Sequence, residues 1–208
     1  MPFLVRFQSS RFKDLLMPAA YVAGAFLLGL VCGALVLHTL NQGQQDGLRQ
    51  YLDSFISSMS ALVNKSQFPA LSLGEAFRTQ LLSMVVLWLL GLSVIGAPPI
   101  IMLVGARGFV LGFTVGFLVE AKAAQGLLLA LVAVLPQNLC YVPALLGAGA
   151  LALYFSLSLC KGLREAPIMS GLLSYSLAFL ALTILVLAGS WIEAYLVPGI
   201  MRLTMLLS

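Results

Sequence analysis

Few residues in this chain are of a type that does chemistry, and they lie far apart in an apolar sequence. His38 is the only histidine, and one imidazole does not make a metal site. Cys32, Cys140 and Cys160 all fall within apolar runs without a CxxC spacing, the setting of thiols that pack as small hydrophobes. No serine–histidine–carboxylate set is present, and no lysine–serine pair follows GFVLGFTVGFLVE to make its glycines a phosphate loop. Neither catalysis nor a cofactor is therefore expected. The chemistry that remains is that of polar groups in lipid, where each one needs a reason. Gln137 and Asn138 directly follow Pro136. Their amides could satisfy backbone groups freed by the proline, or face a cavity and bind a substrate or lipid headgroup. Arg107 is either an anchor at the inner face or an intramembrane cation that needs a carboxylate.

The elements that position these residues follow from composition. About 61% of the chain is apolar and 9% charged, against about a half and a quarter in soluble domains. The formal charge of +4 is spread too thinly for a nucleic-acid footprint, with no basic stripe. An all-α, polytopic membrane helix bundle of about five spans is expected, forming a single membrane domain over residues 1–208. The first apolar run, residues 17–40, is longer than the apolar core of a signal peptide and lacks an A-x-A-like cleavage site, so it reads as a retained helix. Arg6, Arg11 and Lys13 precede it and place residues 1–16 in the cytoplasm. Ala25, Gly29 and Gly33 recur every four residues, a face for close helix packing, and Gly108, Gly112 and Gly116 repeat the pattern.

Residues 41–76 form the only sizeable polar stretch. Within it Leu48, Tyr51, Leu52, Phe55, Ile56, Met59, Leu62 and Val63 keep helical spacing, opposite Arg49, Gln50, Asp53, Ser54, Ser57 and Ser58. This predicts an extracytoplasmic amphipathic helix capped by Asp46, packed on its own bundle or offering a docking surface. Ser72 and Glu75 have the spacing of a capping box, starting a second helix that runs to about Ile95. Pro98 and Pro99 then either kink that helix or start a new one that carries Arg107 into the membrane; the second reading is preferred. Glu120 and Lys122 predict a short outer turn. The uncharged run 126–160, with Pro136 and Pro143, predicts a broken or re-entrant helix. Lys161, Arg164 and Glu165 mark an inner loop, and a last span over 168–190 ends in Trp191, Glu193, Tyr195 and Pro198 at the outer interface.

The order GLSVIGAPP, GFVLGFTVGFLVE, VLPQNLCYVPA, WIEAYLVP resembles the stage II sporulation protein M family over nearly the whole chain. That resemblance implies a multi-pass protein on the mother-cell side of the sporulation septum, acting in forespore engulfment. It implies a scaffold that recruits and holds two peptidoglycan-degrading partners, stage II sporulation proteins D and P, and cuts no wall itself. The docking residues would then be Asp46, Arg49, Tyr51, Asp53, Phe55, Glu193 and Tyr195. Membrane lipids are the other expected partners, and the glycine faces leave association between copies open. The competing reading is a transporter or the permease subunit of an export system, drawn from the proline breaks and glycine-rich helices. Against it, the chain shows no inverted repeat and few intramembrane charges to couple an ion.

Overall fold

The computed structural model describes the backbone of residues 3–41, 43–44, 46–48, 50, 54, 68–129, 135–160 and 171–189. Side chains are described from residue 14 onward within these stretches, except at 68–77, 121–129 and 135–137. The helices are α1 (Phe3–Val36), continued by a 3₁₀ turn at Leu37–Thr39, then α2 (Phe68–Gly91), α3 (Ala97–Leu129) and α4 (Leu135–Cys160). A fifth is α5 (Gly171–Gly189). Among the described residues there is no strand. Asp14–Thr39, Ala97–Glu120, Asn138–Cys160 and Gly171–Gly189 are each long and apolar enough to cross a bilayer. In α2 the corresponding apolar portion among the described side chains is the shorter Arg78–Gly91, within a helix of 24 residues. The protein is a multi-pass membrane helix bundle.

Several local expectations need correction. Pro98 and Pro99 stand in the first turn of α3, directly after the 92–96 turn. There the missing N–H would have had no helical partner anyway. These two prolines start a helix rather than break one, which is the preferred of the two sequence readings. Pro136 is helical, and the residues before Leu135 lie outside the described ones. Pro143 lies inside α4 and Pro18 inside α1, and neither ends its helix. The turn expected at Glu120 and Lys122 is absent, because α3 runs through both to Leu129. That extension takes up the start of the long uncharged run, so α4 spans as one helix where a broken one was expected. Ser72 and Glu75 lie inside α2, which begins four residues before Ser72, so their capping-box spacing marks no helix start. Nor does Asp46 cap the first polar segment: Gly43 and Gln44 before it are already helical. The start is at Asn41, whose backbone N–H donates to Gln44 Oε1 at 3.2 Å while Gln44 N–H donates to the Asn41 carbonyl at 2.9 Å. This is the return half of a capping box.

The helices alternate in direction. α1 and α3 run parallel, since Gly29 faces Gly105, Gly33 faces Phe109 and Gly116 faces Leu37. α2 leads into α3 through a tight turn at residues 92–96, so it runs opposite to both. α4 returns antiparallel to α3, with Gly149 against Val104 and Cys160 at the 92–96 turn. α5 is antiparallel to α4, with Tyr175 stacked on Phe155 and Leu182 against Gly147. One end of the bundle, the proximal end, therefore gathers the start of α1, the 92–96 turn, the end of α4 and the start of α5. The distal end gathers the rest.

Among the described residues of α1–α4 the α1–α3 pair is the most extensive, and glycine makes it so. A Cβ at Gly29 would fall 2.0 Å from the Gly105 carbonyl oxygen, at Gly33 2.1 Å from Phe109 O, at Gly108 2.2 Å from Phe26 O and at Gly112 2.0 Å from Leu30 O. Both helices contribute, so backbone meets backbone at a distance no side chain permits. In lipid such packing, with Cα–H···O contacts, replaces the hydrophobic drive that water would supply. The core clusters on α4 through Tyr141, Ala144, Leu145, Ala148, Ala152 and Leu153. Its span is 44% buried against 17–22% for the other three, which puts α4 at the centre. Leu27, Leu28, Met102, Leu173 and Ile184 point outward, as residues that face acyl chains do.

Candidate functional site

Arg107 is the eleventh residue of α3, so its Cα lies about 15 Å along the helix from Ala97, near the middle of a 30 Å hydrocarbon core. The sequence allowed an anchor at the inner face or an intramembrane cation, and a position midway along the apolar span favours the second. The carboxylate it was expected to need is replaced, among the described residues, by neutral groups. Its Nη2 donates to Ser83 Oγ on α2. Its guanidinium carbon lies 5.8 Å from the ring centroid of Tyr141 on α4, within cation–π range. Ser83 in turn donates its hydroxyl proton to the Thr79 carbonyl at 2.9 Å. The phenol of Tyr141 lies against Arg107 and the Ser83 hydroxyl, and its oxygen is fully enclosed. Three helices thus bring one cation, one hydroxyl and one phenol together midway along the spanning portion of α3.

The frame that holds this cluster is fixed by polar contacts at the proximal end. Ser156 Oγ donates to Ser93 O and Cys160 Sγ to Val94 O, both at 2.8 Å. The end of α4 thereby satisfies two carbonyls of the 92–96 turn. Gly96 begins α3: its carbonyl accepts from Ile100 N–H at 3.0 Å. On the other flank, Tyr175 Oη donates to Trp88 O at 3.0 Å and Trp88 Nε1 to Ser176 Oγ at 3.3 Å, tying α5 to α2. Each contact satisfies a group that lipid would leave costly.

Of the residues singled out from sequence, Gly29, Gly33, Gly108, Gly112 and Gly116 come together in the α1–α3 contact. Asn138 is half-buried, one turn before Tyr141 on α4, which brings it toward the Arg107 cluster. Pro136 and Gln137 are helical, and the side chain of Gln137 is outside the described residues. Asp46 and Ser54 are exposed on helical segments beyond the distal end of α1. Arg49, Tyr51, Asp53, Phe55, Glu193 and Tyr195 lie outside the described residues. All three cysteines are free, but Cys32 and Cys160 are exposed and only Cys140 is partly buried, contrary to the expectation of enclosed thiols. Sequence reasoning missed Ser83 and Tyr141. The signal was faint: a serine and a tyrosine in apolar runs gain meaning only once helix register puts them beside Arg107.

Among the described residues no group of three metal-ligating side chains forms. A family model described as stage II sporulation protein M matches residues 22–198. Neither the comparison with curated proteins nor that with solved structures gives a match.

Proposed function

The chain belongs to the stage II sporulation protein M family, and on that premise we propose that it is a non-enzymatic membrane scaffold. In this reading it recruits peptidoglycan-degrading partners, stage II sporulation proteins D and P, and holds them at the mother-cell side of the septum during engulfment. The observation that carries the reading beyond family membership is the unequal build of the two bundle ends. At the distal end the chain has its longest stretch between spans, with a helical segment starting at Asn41. α3 also continues there from Glu120 to Leu129, beyond its spanning portion. At the proximal end α2 and α3 are joined by only five residues, 92–96. Arg6, Arg11, Lys13, Lys161 and Arg164 belong to segments attached to that end, which favours it as cytoplasmic.

A scaffold for wall enzymes needs surface on the outer side, whereas a permease driven by an ATPase needs it on the inner side. The short proximal turn favours the scaffold. Affinity capture of the chain in mild detergent from its sporulating host decides between them. Co-purifying peptidoglycan hydrolases support the scaffold. A cytoplasmic ATPase without hydrolases overturns it and makes Gln137 and Asn138 the centre of a transport site. Charge reversal at Asp53 or Glu193 is expected to weaken the capture, and unchanged recovery removes these residues from the docking surface.

A further inference from the structure

We propose that Arg107 receives a carboxylate carried at mid-membrane by a transmembrane helix outside this chain, so that the bundle recognises its partner inside the bilayer as well as beyond it. A cation at this depth costs several kcal/mol unless paired. Asp14, Asp46 and Glu120 are the carboxylates among the described side chains, and none lies beside it. Asp14 and Glu120 bracket the spanning portions of α1 and α3, and Asp46 lies past the distal end of α1. Arg107 is partly exposed, and Val110, one turn beyond it on α3, points outward. Arg107 therefore stands at the edge of the bundle, where another helix can approach it.

Depth selects the occupant. A phospholipid phosphate would have to leave its interface and descend about 15 Å into hydrocarbon. A helix that crosses the bilayer can carry a carboxylate at any level.

Hydrogen bonding within the cluster gives the second observation. Ser83 Oγ gives its own proton to Thr79 O and accepts from Arg107. The ring of Tyr141, only 8% exposed, is the other group against the guanidinium. Both partners are neutral, so the cation keeps its full charge within the cluster.

The proposal shares with the scaffold reading only the expectation of a protein partner, and its test uses none of the named hydrolases. The full-length chain is reconstituted in phosphatidylcholine vesicles with single-span leucine–alanine peptides bearing glutamate or glutamine at the centre. Association is read by energy transfer. The glutamate peptide is expected to bind roughly tenfold more tightly than the glutamine peptide. R107Q should equalise the two, and R107K should keep most of the preference. Equal binding of both peptides to the unaltered chain overturns the proposal, as does a preference that survives in a monodisperse R107Q protein. If R107Q does not fold, R107K decides, and loss of the preference in a folded R107K protein overturns the proposal. Cancellation of the preference by phosphatidylglycerol would assign the cation to lipid phosphate and also overturn it. If glutamate selectivity appears only in E75Q, Arg107 is neutralised within the chain, and the proposal is overturned in that case too. Hydrolase capture can fail while the peptide preference stands, and the reverse, so the two readings fall separately.

Discussion

At the scale of single residues, the glycines differ sharply in what they hold. Gly29 and Gly112 let the backbones of α1 and α3 touch, whereas a Cβ at Gly24 would meet nothing within 4 Å. Gly29→Ala and Gly112→Ala would each place a methyl carbon 2.0 Å from a carbonyl oxygen of the facing helix. The pair must then move apart, and overpacking of this kind costs about 1–3 kcal/mol. Gly24→Ala is expected to be neutral or slightly stabilising, because alanine is the better helix former. Thermal unfolding of the purified protein in detergent checks both, and equal melting of all three variants would contradict the backbone contact. The α1 and α3 glycine series were legible from four-residue spacing alone. Ser83 and Tyr141 were not, because their importance comes from residues 24 and 34 positions away from them along the chain, at Arg107.

At the scale of elements, the prolines show how a residue's meaning depends on where the helix begins. Pro98 and Pro99 removed donors that the first turn of a helix does not use. Sequence alone could not separate a kink from a start at Pro98, since both satisfy the same local chemistry. Gly96 marks the difference: a Cβ there would lie 1.8 Å from Leu90 O, so the chain reverses tightly just before α3. Gly96→Ala should open the turn and shift α2 against α3, separating Ser83 from Arg107. The expected result is a lower melting temperature, from a loss of about 1–3 kcal/mol of stability, as for other overpacked contacts. It should also reduce the glutamate-peptide preference proposed for Arg107. A melting temperature equal to that of the unaltered chain would show that the turn tolerates a side chain.

At the scale of the whole molecule, five helices in alternating directions put the residue 41–54 segment and the end of α5 on one side and the 92–96 turn on the other. Single cysteines at exposed positions of a cysteine-free protein test this. Ser54→Cys is expected to react with a membrane-impermeant thiol reagent added to intact cells, and Ile95→Cys, at a position 79% exposed, only after permeabilisation. Labelling of both from the same side would break the alternation. The membrane class, the number of apolar segments and the glycine faces follow from the sequence, because each is a property of composition or of spacing within one helix. The direction of α1 relative to α3, the central place of α4 and the company of Arg107 were decided by tertiary structure. Those depend on which faces of separate helices meet, and in a sequence whose faces are nearly all apolar, hydrophobic pattern carries little of that information.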